Sequence, residues 1–295
     1  MARQFQTVAL TGKYSDPRVG DSMSQLATHL AGQGIRVLAD PGAGMPPGLP
    51  VEAVAAPGLV QETDLMIAVG GDGTMLYAAR LAAPYQRPLL GINRGRLGFL
   101  ADVTRDEMIE RVDEILGGDY VEEQRLMLEA TLTDEDRSER GIALNDVVLQ
   151  KRETGRTIDF ENWIDGVFVN AHRGDGLIIA TPTGSTAYAL SGGGPIIHPS
   201  LGAVTLVPIC PHTLSDRPIV VSAESRLEVR LIERSDAQAE VTCDGHVLGA
   251  LSEGSRLHVR AAEERAILLH PRHHDYFRLL RSKLHWGRGK NNGNG

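Results

Sequence analysis

The spacing of apolar residues changes about 120 residues into this chain, and the change predicts two kinds of structure. In the first part, apolar runs at 7–10, 35–38, 64–69 and 89–92 read as short buried strands. Between the first two, Val19, Met23, Leu26, Ala27 and Leu30 recur at helical spacing over 18–32. A helix is predicted over 74–83, and another over 105–116, capped by Thr104 and stopped by Gly117 and Gly118. Residues 41–50 are rich in Pro and Gly and read as a loop. Strands alternating with helices predict a parallel sheet covered by helices.

Beyond residue 120 the pattern alternates with period two. Stretches 125–133, 143–151, 157–169, 176–180, 203–209, 219–222, 226–233, 239–242, 255–259 and 265–269 are rich in Val, Ile, Leu and Thr. Their links are short, which predicts stacked antiparallel sheets. An amphipathic helix is expected over 273–284 from Tyr276, Phe277, Leu279, Leu280 and Leu284. The Gly/Asn-rich end is expected to fray.

Composition narrows the function classes. With 295 residues and 42% hydrophobic content the chain can bury more than one core. A net charge of −8 argues against a general nucleic-acid or membrane-surface binder. No window holds 18 uninterrupted apolar residues and the N-terminus lacks a signal-peptide core, so a cytoplasmic protein is expected. Cys210 and Cys243 form no C-x-x-C pair and are expected to be reduced, buried thiols.

The sharpest local feature is Gly70-Gly71-Asp72-Gly73-Thr74, which ends a buried strand and opens a helix. Ligands gather at the carboxyl ends of parallel strands. Glycines let backbone N–H groups close on phosphate oxygens, and the helix start adds partial positive charge. The loop lacks the Lys-Ser/Thr of a Walker loop and the spacing of G-x-G-x-x-G. A carboxylate among phosphates needs a task, either to hold a metal or to accept a proton from an attacking hydroxyl. The plainer alternative is a turn in which Asp72 bonds its own backbone.

Further candidate stretches are 91–100, with Arg94 and Arg96 the basic residues nearest the loop; Leu144-Asn145-Asp146; and 175–195. Asn145 and Asp146 offer donors and acceptors for vicinal ribose hydroxyls, or form an ordinary hairpin turn. Thr181–Thr186 is a hydroxyl-rich turn, followed by a helical turn with Ser185 as its cap. It either presents hydroxyls and free N–H groups to a ribose, phosphate or amide, or simply joins two strands.

The glycine loop resembles that of a kinase superfamily containing NAD kinases, lipid kinases and phosphofructokinases. Combined with Thr181-Pro182-Thr183-Gly184-Ser185-Thr186-Ala187-Tyr188, and with Asn145-Asp146 in the same order, the chain resembles bacterial NAD kinases over residues 60–285. The resemblance implies a Rossmann-like α/β domain over 1–120 and an all-β, β-sandwich NAD-binding domain over 121–270. It also implies that a segment near 271–287 returns to the first domain. The implied activity is transfer of the γ-phosphoryl group of ATP, or of another donor, to the 2′-hydroxyl of the adenosine ribose of NAD. Asp72 is implied as the catalytic base; Gly70, Gly71, Gly73 and Thr74 as the ATP-binding loop. The NAD-binding set implied is Asp72, Gly73, Asn145, Asp146, Arg156, Arg173, Asp175, Gly184, Thr186, Ala187, Tyr188, Ala189, Leu190, Ser191 and His246. Mg²⁺ or another divalent cation, held mainly by donor phosphates, is the implied cofactor, and a homodimer or homotetramer the implied assembly. Neither nucleic acid nor membrane is an expected partner. The alternatives are a diacylglycerol- or sphingosine-type lipid kinase, and a non-catalytic dinucleotide-binding regulator.

Overall fold

In the computed structural model the described residues are 5–95, 98–134, 137–152, 157–213, 215–232 and 239–286. They divide into two compact units, one spanning residues up to Gln124 plus the C-terminal segment from Ile267, the other Arg125–Ala266.

The first unit is built on strands β1 (Thr7–Thr11), β2 (Arg36–Ala39), β3 (Glu52–Ala53), β4 (Leu65–Val69), β5 (Pro88–Asn93) and β6 (Val103–Thr104). Their order is β3-β2-β1-β4-β5, all parallel, with β6 beside the end of β5. The helices are α1 (Pro17–Gly32), α2 (Gly58–Gln61), α3 (Asp72–Ala82) and α4 (Met108–Leu116). Val8, Leu10, Leu65, Ile67, Leu90 and Ile92 share one face of the sheet with Met23 and Leu26 of α1 and Val112 and Ile115 of α4. Gly91, between Leu90 and Ile92, faces the other way, against Met75 of α3. The alternation along each strand thus feeds helices on both faces. Asp16 caps α1 by accepting from the Arg18 N–H, which the apolar spacing does not reveal. Thr104 does not cap α4: its hydroxyl donates to Glu107 Oε2, and the helix starts at Met108 without a side-chain cap.

The second unit holds strands β7 (Val121–Thr133, from Arg125 on), β8 (Ser138–Ala143), β9 (Asp146–Lys151), β10 (Ile158–Ile164), β11 (Val167–Gly174) and β12 (Gly176–Ala180). It continues with α5 (Tyr188–Ser191), β13 (Ala203–Ile209), β14 (Ile219–Ser222), β15 (Leu227–Leu231), β16 (Ala239–Cys243), β17 (His246–Leu251) and β18 (Arg256–His270, up to Ala266). One antiparallel layer runs β14-β13-β12-β9-β16-β17. A second groups β10, β11, β15 and the start of β18, with β7 paired to β8. Leu128, Phe160, Val229 and Leu257 from these strands meet Val147, Leu177, Leu206 and Val241 in one core. The expected α/β plus all-β architecture is therefore observed.

Four expectations need correction. The stretch 143–151 is not one strand, because Leu144 and Asn145 break it into β8 and β9. The stretch 157–169 folds into the β10–β11 hairpin at Asp165 and Gly166, both at positive φ. Conversely, 255–259 and 265–269 are parts of the single strand β18. Cys210 is exposed rather than buried, whereas Cys243 lies in the core. Strand β17 had no assigned run, since it alternates around Gly249 and small residues.

The C-terminal segment belongs to the first unit. Ile267 and Leu268 run parallel to Pro88 and Leu89 of β5. Helix α6 (Tyr276–Leu284) buries Leu279 and Leu280. It starts three residues later than the apolar spacing suggests, because Asp275 caps it by accepting from the Phe277 and Arg278 N–H groups.

Candidate active site

In the first unit the strand order reverses between β1 and β4, the kind of switch point where open parallel sheets bind ligands. A pocket of about 410 Å³ sits there. Its wall takes Asp16 and Arg18 from after β1, Gly71 and Asp72 from after β4, and Asn93 from the end of β5 with Arg94 and Gly95 following it. Asp72 opens the first turn of α3, two residues earlier than expected, so its side chain stands at the helix N-terminus facing this pocket. Its two oxygens accept from the Phe99 N–H and the Leu100 N–H, each at 3.2 Å. These bonds come from a distant loop, so the local Asp turn is not what holds the side chain. A carboxylate has about four acceptor positions, so two bonds leave it able to receive a proton. Gly98 lies against it: a Cβ there would overlap Asp72 Oδ1.

The fold also supplies positive charge that sequence proximity did not reveal. Lys283 of α6 lines the pocket together with Arg18 and Arg94, some 200 residues away along the chain. Arg94 pairs with Asp16. Lys283 had a signal, in the run Leu280-Arg281-Ser282-Lys283-Leu284, but no pattern linked it to the loop. Among the described residues, no group of three or more metal-ligating side chains surrounds Asp72. A hard divalent cation wants about six oxygens. The oxygens that line the pocket near the loop, Asp72 and Asn93 among them, fit an ion that takes most of its ligands from phosphates.

The second unit gathers the other candidates around the start of β9. The carboxylate of Asp244 accepts from the N–H groups of Leu144, Asn145 and Asp146 at 2.8–3.2 Å. The Asp244-Gly245 turn has positive φ at both residues, and it is this turn that shapes the Asn145-Asp146 bend. Because β8 pairs with β7, and β9 with β12 and β16, Asn145-Asp146 is not a hairpin turn. Asp146 is buried, and that burial, with the nearby Asp244 charge, pushes its carboxyl up to about 7.

The hydroxyl-rich turn uses most of its hydroxyls internally, as the strand-joining alternative expects. The Thr181 hydroxyl donates to the Leu144 carbonyl and accepts from the Gly184 N–H. The Ser185 hydroxyl donates to the Pro182 carbonyl and accepts from the Ile197 N–H, so Ser185 does not cap α5. Thr183 accepts from buried Arg125, and Thr186 donates to the Thr183 carbonyl. Gly184 is pressed on the Asn145 backbone, where a Cβ would overlap the carbonyl. What the turn leaves exposed or half-exposed is Thr186, Ala187, Tyr188, Leu190 and Ser191; Ala189 is buried. Asp175 pairs with Lys151 at 2.6 Å, and Arg173 is exposed with Thr157 as its hydrogen-bond partner. His246 is exposed on the β16–β17 turn. Arg156 and Arg96 lie outside the described residues.

A glycine loop with one acid at the switch point of a parallel sheet, joined to an all-β unit, suits a nucleotide-using phosphotransferase. Comparison with known proteins makes this specific. Residues 51–120 match the ATP-NAD kinase N-terminal domain and residues 144–270 the ATP-NAD kinase C-terminal domain. The NAD kinase of Nitrosococcus oceani is 46% identical over 98% of this chain and 99% of its own. That of Thiobacillus denitrificans is 47% identical over 96% and 98%. Among solved structures, yeast NADH kinase complexed with NADH superposes with a TM-score of 0.90 at 26% identity, covering 99% of this chain and 91% of that one. The NAD kinase of Archaeoglobus fulgidus in complex with ATP gives 0.69 at 26%, covering 95% and 98%.

The chain belongs to the NAD kinase family and is an enzyme of that family. The comparisons lend nothing to the lipid-kinase or regulator alternatives.

Proposed function

We propose that this chain transfers the terminal phosphoryl group of ATP to the 2′-hydroxyl of the adenosine ribose of NAD, with Asp72 as the general base. One observation carries the reading: the Asp72 carboxylate faces the switch-point pocket, aimed by the Phe99 and Leu100 N–H groups. Phosphoryl transfer asks a protein mainly to position groups and offset charge. Gly70, Gly71, Gly73 and Thr74 close on the donor phosphates, and Arg18, Arg94 and Lys283 offset their charge. Asn145 and Asp146 hold the ribose and nicotinamide parts of NAD, with Asp175, Arg173, Arg156, His246 and the 184–191 turn supporting them. As the 2′-oxygen forms its bond to the γ-phosphorus, its proton passes to Asp72 and the bond to the β–γ bridging oxygen breaks with its electrons on ADP. A divalent cation, when bound to the donor phosphates, supplies further charge neutralisation. The same reading has the chain acting in the cytoplasm as a homodimer or homotetramer.

The test offers ATP, Mg²⁺ and NAD, read out by an NADP-specific dehydrogenase, with diacylglycerol as a parallel acceptor and polyphosphate as a parallel donor. Asp72→Asn is expected to lower turnover by about 10²–10⁴-fold while NAD affinity is kept. Near wild-type turnover in that variant removes Asp72 from the base role.

A further inference from the structure

The first unit contains a second cavity, about 780 Å³, that shares no lining residue with the Asp72 pocket. Asp102 and His274 form part of its wall. With His270 they place three ligand atoms within 4.8 Å of one another. Asp102 Oδ2 lies 3.0 Å from His270 Nδ1 and 2.6 Å from His274 Nδ1. The two imidazoles stack with centroids 3.9 Å apart, and His270 is 1% exposed.

Hydrogen bonding alone satisfies both carboxylates only if His270 carries a full positive charge in a buried site. His270 Nδ1 faces the Asp102 carboxylate while its Nε2 lies 3.3 Å from Glu123 Oε2. A neutral imidazole carries one N–H, so it turns a lone pair toward one of the two carboxylates. In addition, Asp102 Oδ1 is buried with no hydrogen-bond partner among the described residues, an expensive state for a carboxylate oxygen.

We propose that Asp102, His270 and His274 form a transition-metal site of the Zn²⁺ or Co²⁺ class. Each Nδ1 gives its lone pair to the ion and each Nε2 keeps its proton. The His270 Nε2–H is thereby aimed at Glu123, the outer carboxylate that metal-bound histidines commonly carry. Two imidazoles and one carboxylate suit Zn²⁺ or Co²⁺ better than Mg²⁺, and three protein ligands leave a fourth position open to the cavity. Ligands around a tetrahedral ion at ~2.0–2.1 Å stand ~3.3 Å apart, so the two short separations must widen by well under 1 Å, and the stacked rings must spread and turn so that both in-plane Nδ1 lone pairs meet at the ion. The ion ties the turn before α6 to the loop two residues beyond Leu100. The site stands whether or not Asp72 is the base.

The test titrates untagged, chelator-treated protein with Co²⁺ in excess Mg²⁺, following the visible absorption of bound Co²⁺. One saturable equivalent, displaced by Zn²⁺, is expected. Glu123→Gln is expected to weaken binding by about 10–100-fold, the usual effect of losing an outer-shell partner. The His270→Gln/His274→Gln double variant should lose the band, and His273→Gln, altering a cavity residue outside the triad, should keep it. Circular dichroism melts establish that each variant is folded. A wild-type protein with no saturable band, a band that survives the double variant, or loss of binding in His273→Gln equal to that in Glu123→Gln overturns the proposal.

Discussion

Asp146→Asn should make this protein more stable and less active, with a stability gain that depends on pH. The group is 6% exposed, and its carboxyl rises from an ordinary 3.8 to about 7. The folded state thus binds the proton more tightly than the unfolded chain, and ionised Asp146 costs stability. The cost is absent below pH ~4, grows between pH ~4 and ~7, and is full above. Every pH unit climbed within that window adds ~1.36 kcal/mol, so the cost reaches about 2 kcal/mol at pH 5 and about 4 at pH 8. Asparagine never ionises, and the backbone N–H groups that Asp244 holds are unchanged. A buried amide with imperfect partners costs about 1–3 kcal/mol in return. That amide cost does not titrate, so the diagnostic is the growth of the gain by about 3 kcal/mol from pH 5 to pH 8. Urea unfolding of both proteins at the two pH values measures it. An offset equal at both, or one that shrinks toward pH 8, refutes the argument. Turnover with NAD should fall in the same variant, because a costly buried carboxylate is retained where a ligand uses it.

Two predictions concern the switch-point pocket. Gly98→Ala should displace the Asp72 carboxylate and lower turnover by about 10²-fold, since misplacing a catalytic group by ~1 Å has that effect. Unchanged steady-state kinetics would show that the contact with Gly98 does not aim Asp72. Lys283→Gln should raise the KM for ATP by about 10-fold or more, the worth of a charge-assisted hydrogen bond, and leave the KM for NAD nearly unchanged. A rise in the NAD value alone would move Lys283 to the acceptor side.

The glycine loop was legible because its chemistry is local. Residues 70–74 join one strand to one helix, and glycines beside a single acid carry that meaning in order along the chain. Asn145 and Asp146 were legible as residues but not as a shape. Their bend is made by Asp244, a hundred positions away, so no window around them contains its cause. For the turn at 181–186 the sequence left two readings open. Its hydroxyls look free in sequence, yet Leu144, Arg125 and Ile197 use them up. The strand break at Asp165-Gly166 does carry a local signal, an Asp-Gly pair between two apolar runs, whereas the break at Leu144-Asn145 carries none.

By itself, the sequence settled the two kinds of structure, the place of the glycine loop and the family, since these follow from short-range spacing and contiguous motifs. Only the tertiary structure brought Lys283 to the loop, aimed Asp72 with the Phe99 and Leu100 N–H groups, and raised the Asp146 carboxyl by burial beside Asp244. It likewise set Asp102 against two histidines near the other end of the chain. Periodicity reports which face of an element is buried. It carries no information about which distant charge or donor lies there, and that is what makes a site.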